Sequence, residues 1–183
     1  MTSTEPGIAE VEAAIVELLR EQEVGAMAVI APDGTPLVAT MHFASDGLTV
    51  YVHTFTYTRK YAALLADGHV AYELDHLSPD GFAGRAEVRS AQVNGIATRV
   101  TDRAEIEHAI ELSHQQFGWL KDANIYNGFK REGGAKLQVF FRIEPVQALW
   151  TDNRVRVQWR KLVTFSADGR SVASLRPYPV GTA

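Results

Sequence analysis

Three adjacent polar residues, Thr58-Arg59-Lys60, stand at the head of a short amphipathic segment that ends at Gly68. Threonine is a good N-cap residue and glycine a good C′ residue, so the segment reads as a helix opening at Thr58. Arg59 and Lys60 then fall in its first turn. The helix dipole alone disfavours cations there, because the N-terminus already carries partial positive charge. Two cations, free backbone N–H groups and a threonine hydroxyl suit an anion, phosphate above all. Two solvated charges at a helix start are the plainer alternative, and this stretch by itself leaves both open. Upstream, Leu48–Thr54 alternates: Leu48, Val50 and Val52 on one face, Thr49, Tyr51 and His53 on the other. A strand therefore delivers His53 and Thr54 into the polar turn before the helix.

Other reactive residues form no recognisable constellation. The chain has no cysteine, which removes disulfides, thiolate metal sites and a Cys nucleophile. Its six histidines make no metal motif: His108 and His114 are six apart, and there is no H-E-x-x-H, G-x-S-x-G or Walker loop. His42 and His53 lie on the polar faces of neighbouring strands, where they either approach a ligand or face solvent. Trp119 and Tyr126 either line a pocket or anchor a long loop. Arg154, Arg156 and Arg160 alternate with Val155, Val157 and Trp159, which reads as a strand with one basic face, for solvent or for an anion.

The elements that must position these residues are mostly strands. Residues 1–7 read as a flexible tail, followed by an amphipathic helix, Ile8–Glu23, that ends at Gly25. Ala26–Ala31 is apolar throughout, as in a strand buried on both faces. Turns at Pro32-Asp33-Gly34 and Ser45-Asp46-Gly47 bracket a strand over Leu37–Phe43, so a three-stranded antiparallel meander leads to the polar turn. Strands follow at His69–His76 and over Phe82–Arg99, the latter either one long bent strand or a hairpin. Asp102 with Glu105 opens a further helix that buries Ile106, Ala109, Ile110 and Phe117. Trp119–Gly134 has no periodicity, as in a lid or mobile loop. Strands return at Lys136–Trp150, Arg154–Arg160, Leu162–Phe165 and Ser171–Leu175. Many short antiparallel strands with few helices predict a mainly β fold, a barrel with helices packed outside, in one domain spanning residues 1–183.

Composition narrows the class of function. The chain has 183 residues, 46% hydrophobic and 22% charged, with a net charge of −4. That balance disfavours nucleic acid as a partner. No segment reads as a signal peptide or a membrane span, so a soluble, cytoplasmic protein is expected.

The stretch H-T-F-T-Y-T-R-K, followed by an amphipathic helix and the strand HVAYEL, resembles the flavin-phosphate motif of the pyridoxamine 5′-phosphate oxidase-like family, the FMN-binding split barrels. The order of elements from Val24 to Pro177 is similar to that family's. The resemblance implies an antiparallel split barrel, FMN as cofactor and a homodimer with flavins at its interface. It puts the phosphate on His53, Thr54, Thr58, Arg59 and Lys60. It puts the ring against Val38, Thr40, Met41 and His42, with Ser90 or Gln92 on the long strand, with Trp150 from the partner subunit, and with Gln158 where the family's flavin-contacting Arg stands. Arg154 and Arg156 are the implied substrate contacts. The match is partial. Trp150 and Arg154 agree with the family's Trp and Arg-x-His-x-Arg run, whereas Arg156 replaces the His and Gln158 the final Arg. The strand Val38–Phe43 lacks the family's substrate-binding Arg and Lys. An oxidoreductase acting on a different small organic substrate is therefore expected. A deazaflavin-dependent reductase of the same fold, or a flavin- or haem-binding protein without turnover, are the alternatives, with His42 or His53 as candidate haem ligand.

Overall fold

In the computed structural model, which describes residues 5–129 and 137–179, β-structure dominates. The helix α1 (Ile8–Glu21) precedes β1 (Val24–Ile30), β2 (Pro36–His42), β3 (Ala44–Asp46) and β4 (Thr49–Phe55). Then come α2 (Arg59–Ala66), β5 (His69–His76) and β6 (Arg89–Arg99). The remainder is α3 (Arg103–Gln116), a single turn α4 (Trp119–Asp122), β7 (Gln138–Asp152), β8 (Arg160–Phe165) and β9 (Val172–Pro177). All strands pair antiparallel in one sheet with the order β2-β1-β5-β6-β7-β4-β3, from which β8 and β9 branch at β7. This is the mainly β split barrel with flanking helices that the sequence implied. Among the described residues no helix is long and apolar enough to cross a membrane.

The inner face of the sheet closes on Met27, Val29, Met41, Phe43, Val50, Val52, Leu74, Val93, Ile143 and Trp150, all buried. Helix α1 plugs this core with Val11, Ile15, Leu18 and Leu19, each at most 1% exposed. Burying such side chains contributes about 1.5–3 kcal/mol apiece, which is ample to fix α1 on the barrel. A second core sits on the opposite face of β4 and β7. There Tyr51, Phe117, Leu120, Tyr126 and Phe140 pack beneath α3 and α4. Tyr51 Oη donates to Glu105 Oε1 at 3.2 Å, and Arg142 donates to the same oxygen at 2.6 Å. Burial and the facing Glu105 carboxylate push the Tyr51 phenol up to about 12, so it stays a donor.

Several sequence expectations are corrected. The meander does not exist: β3 and β7 occupy both edges of β4, which leaves no edge for β2. Strand β1 buries only one face, with Val24 and Ile30 exposed on the other. Gly25 lies inside β1 rather than ending α1. A Cβ there would come 2.3 Å from the Glu73 carbonyl, so β5 can approach only a glycine. Gly68 likewise answers a close approach, 2.8 Å to the Ala97 carbonyl. Residues Gly81–Glu87 are 3₁₀ turns, not extended chain; β6 starts at Arg89 and is one strand with a shift at Asn94/Gly95. Residues 153–159 form the turn between β7 and β8, so Arg154 and Arg156 do not share a strand face. Asp152 Oδ1 caps Arg154 N at 3.0 Å, Asn153 Oδ1 caps Gln158 N at 2.8 Å, and Gln158 takes φ +65°. The tail expected over residues 1–7 is described only from Glu5, which accepts from Trp159 Nε1 at 3.1 Å. Gly133, Gly134 and Lys136 lie outside the described residues.

Candidate functional site

Helix α2 begins as its residues dictate. Thr58 is the N-cap, its Oγ1 accepting from Tyr61 N at 3.3 Å and donating to Phe55 O at 2.8 Å. Its one proton being spent, Thr54 Oγ1 is the donor in the 3.0 Å contact between the two hydroxyls. The first turn contains no acid. Among the described residues, neither the Arg59 and Lys60 side chains nor their backbone N–H groups have a hydrogen-bond or ion-pair partner. These residues and Thr58 border an open groove of about 250 Å³ whose other wall is Met27, Val29, Leu37, Val38 and Ala39. A positive helix start, two cations, two hydroxyls and an apolar strand wall are a donor set suited to a phosphate ester carrying a flat apolar group.

The strand register brings a second set together. Thr40 pairs with Ala26, Ala26 with Glu73, and Glu73 with Gln92, so these four form one row across the outer face of the sheet. Val38 and His42 flank Thr40 on the same face. Ser90, two residues from Gln92, shares it too. Val38 is 73% exposed, and Gln92 Nε2 donates to Glu73 Oε1 at 3.1 Å. Met41 points the other way, into the core. The groove and this face meet at Val38.

A third set lies apart. Thr54 pairs with Val139 near one end of β7, and Trp150 sits near the other, eleven residues on and about 35 Å along a straight strand. Trp150 is 1% exposed, beneath its own α1. Arg154 donates to Asp152 at 2.7 and 3.0 Å and to Glu17 at 3.1 Å; these hydrogen bonds raise its affinity for its proton and leave it tied within the chain. Trp150, Asp152, Arg154 and Trp159 line a separate pocket of about 280 Å³ against α1. Arg156 and Gln158 are exposed in the turn above. Within one chain, then, these residues do not meet the α2 groove.

The two histidines are not solvent-facing bystanders. His53 packs edge-on to Tyr126 at 5.2 Å and lies 6.0 Å from the Phe140 ring. Burial, reinforced by like charge from His42 and Lys60, pushes it down to about 4, so it is neutral near pH 7. His42 Nδ1 lies 2.9 Å from Glu23 Oε1, and Trp119 Nε1 donates to Glu23 Oε2 at 3.0 Å. Glu23 was not among the sequence candidates. It stands in an acidic amphipathic run and carries no local sign of a role; the β1–β2 pairing, Val24 with His42, brings it into place. Of the two loop aromatics, Tyr126 is a buried anchor and Trp119 is 49% exposed. Among the described residues there is no cluster suited to a metal ion.

An antiparallel split barrel with a cationic helix start beside its edge strand defines a class, and comparison with known proteins places the chain in it. The family model for pyridoxamine 5′-phosphate oxidase matches residues 11–149, and the chain belongs to that family. A comparison with curated proteins finds no match. Similar solved structures include the conserved hypothetical protein Rv2991 of Mycobacterium tuberculosis, with TM-score 0.62 and 21% identity over 84% of this chain and 92% of that one. A FAD-binding protein of Mesorhizobium loti has TM-score 0.53 and 23% identity over 74% and 90%. A heme binding protein of Mycobacterium smegmatis has TM-score 0.62 and 10% identity over 97% and 90%. At these identities the likeness is one of fold.

Proposed function

We propose that the chain is an FMN-binding oxidoreductase, acting on a small organic substrate as a homodimer in the cytoplasm. The observation that carries this reading is the Arg59–Lys60 pair at the start of α2, without a partner among the described residues and facing the apolar wall of β2 across the groove. Arg59 and Lys60 would neutralise the phosphate, and their backbone N–H groups would bond it. Thr54 would turn its hydroxyl from Thr58 to the ligand. Bonds of this charged kind contribute about 1.5–3 kcal/mol each. Cofactor pockets run to roughly 300–1,000 Å³, so the ring would extend beyond the groove onto the face of Val38, Thr40 and His42. Ser90 and Gln92 stand on that same face. FMN supplies hydride and electron transfer; the chain's residues bind it, orient it and exclude water. A deazaflavin would present the same phosphate to the same cations.

The outer face supports the dimer. It exposes Val24, Ile30, Val38 and Val146 and holds an apolar groove of about 390 Å³ lined by Ala28, Ile30, Ala71 and Ile96. Soluble chains seldom leave such a face bare, and a second copy would cover it and complete the cofactor site. Of the Trp150, Arg154, Arg156 and Gln158 set, the exposed Arg156 and Gln158 would reach a flavin only across that interface, and Trp150, buried beneath α1, would not touch it as it stands. A haem-binding role is the second reading, favoured by His42, a third of whose side chain is exposed, and by the heme-binding relative of the same fold.

The test is the visible spectrum of the purified protein, before and after loading with FMN, then reduction and addition of an acceptor. A bound flavin that an organic acceptor reoxidises in catalytic cycles supports an enzyme. A bound flavin without turnover leaves a binding protein. A Soret band, with no flavin uptake, overturns the reading in favour of haem.

A further inference from the structure

The register of the sheet sets an acid and a base at the two ends of one row. Asp75 of β5 pairs with Ser90, Ser90 with Thr151, and Thr151 with Arg160 of β8. Ala91 and Trp150, the sequence neighbours of Ser90 and Thr151, are buried in the core, so this row faces outward. Glu73, two residues from Asp75, adds a second acid to the same face. Its row runs through Gln92 and Leu149 to Leu162 and on to Arg176 of β9.

These charges do not meet within the chain. Among the described residues Asp75, Glu73, Arg160 and Arg176 make no ion pair, and Glu73 accepts only from the neutral Gln92 amide. Three strand spacings separate β5 from β8, about 14 Å, farther than an aspartate and an arginine reach towards each other. Burial, and then the Glu73 carboxylate beside it, push the Asp75 carboxyl up.

A second copy brings the two ends together. Sheets pack face to face about 10 Å apart, a gap that these two side chains span. A two-fold axis along the strands, between β6 and β7, lays β5 of each copy over β8 of the other and keeps every row opposite itself. Asp75 then faces Arg160 of the partner subunit, and the pair forms twice. Ile96 of β6 and Val146 of β7, which border the apolar groove, lie on either side of that axis and meet their counterparts. A two-fold across the strands at this level would lay β5 over β5 and set carboxylate against carboxylate, which like charge disfavours.

We propose that the outer face docks a second copy of this chain about an axis between β6 and β7, its register set by Asp75 paired with Arg160 of the partner subunit. The inference rests on the dimer of the proposed function and is independent of its cofactor. It also names what the second copy brings to the cofactor face. With β8 over β5, β9 lies over β1, and Arg176 of the partner subunit stands over Ala26, next to Thr40.

Sedimentation and native mass spectrometry of the full chain test the pairing. Asp75→Arg and Arg160→Asp each set like charges opposite one another at both pairs, and each is expected to weaken the dimer about tenfold. Mixing the two variants restores opposite charge at both pairs, so heterodimers are expected to make up about nine-tenths of the dimer, against the half that indifferent mixing gives. Both changes in one chain are expected to restore the homodimer. Either variant that loses the wild-type urea transition is replaced by Asp75→Asn, which is expected to weaken the dimer by a smaller factor. Wild-type dimer affinity in the variants, or weakened variants that mixing does not rescue, overturns this register and leaves the dimer standing. A wild-type chain that stays monomeric at micromolar concentration overturns the dimer and this inference with it, and FMN titration of the same chain reports separately on the cofactor.

Discussion

Thr54 and Thr58 touch through their hydroxyls at 3.0 Å, and the contact joins the end of a strand to the cap of a helix. Because Thr58 already donates to Phe55 O and accepts from Tyr61 N, it is a structural residue first. Thr58→Ala is expected to cost about 1 kcal/mol of stability, read as a lower urea midpoint. Thr58→Ser keeps the cap and is expected to restore most of it. Thr54→Ala leaves the cap intact, so it is expected to lower FMN affinity with little change in stability.

His53 makes stability depend on acid. Its folded value, about 4, lies below the ordinary 6.5 because burial above all, then like charge from His42 and Lys60, disfavours the charged ring. The unfolded chain therefore binds the proton more readily between those values, and stability rises with pH across that window. The contribution is whole above about pH 6.5 and is lost as pH falls toward 4. It amounts to about 3 kcal/mol at most. His53→Gln is expected to flatten the fall in urea midpoint between pH 7 and pH 4.5. An unchanged fall in that variant assigns the acid sensitivity elsewhere.

Gly25 separates a packing requirement from a turn. Gly25→Ala would force its Cβ to 2.3 Å from the Glu73 carbonyl and push β1 off β5. A loss of about 1–3 kcal/mol is expected, measured by urea unfolding. Gly34, in the turn at φ +83° with open space around it, is expected to respond through backbone strain alone.

The apolar outer face predicts an oligomer. Ile30 and Val146 are 40% and 51% exposed in one chain. Ile30→Lys with Val146→Lys is expected to sediment at the chain mass of 20.2 kDa, and the wild type at twice that. A wild-type monomer at micromolar concentration contradicts the dimer.

What could be read from residues alone depended on range. The Thr58 cap, the Asp102 cap that accepts from Glu105 N at 2.9 Å, and β5 with its observed bounds are local, and local pattern found them. The turn over 153–159 misled because Val155 and Trp159 alternate with polar residues as a strand would. They are apolar because they pack near α1, which no window of eight residues contains. The site divides the same way. Arg59 and Lys60 announce themselves by standing where the dipole disfavours them. Glu23 is one of several acids in a helical pattern, and only the pairing of Val24 with His42 makes it a partner. Trp150 kept its family spacing, yet its surroundings, buried beneath α1, belong to tertiary structure.

The central claim is that α2 binds a phosphate ester, and riboflavin, which lacks the phosphate, is the direct probe. Fluorescence titrations would compare FMN and riboflavin on the wild-type chain and on Arg59→Ala with Lys60→Ala. The wild type is expected to prefer FMN by at least a hundredfold, about 2.7 kcal/mol, and the double variant to lose most of that preference while binding riboflavin as before. Equal affinity of the wild type for both ligands, or an FMN preference that survives loss of both cations, would contradict the account.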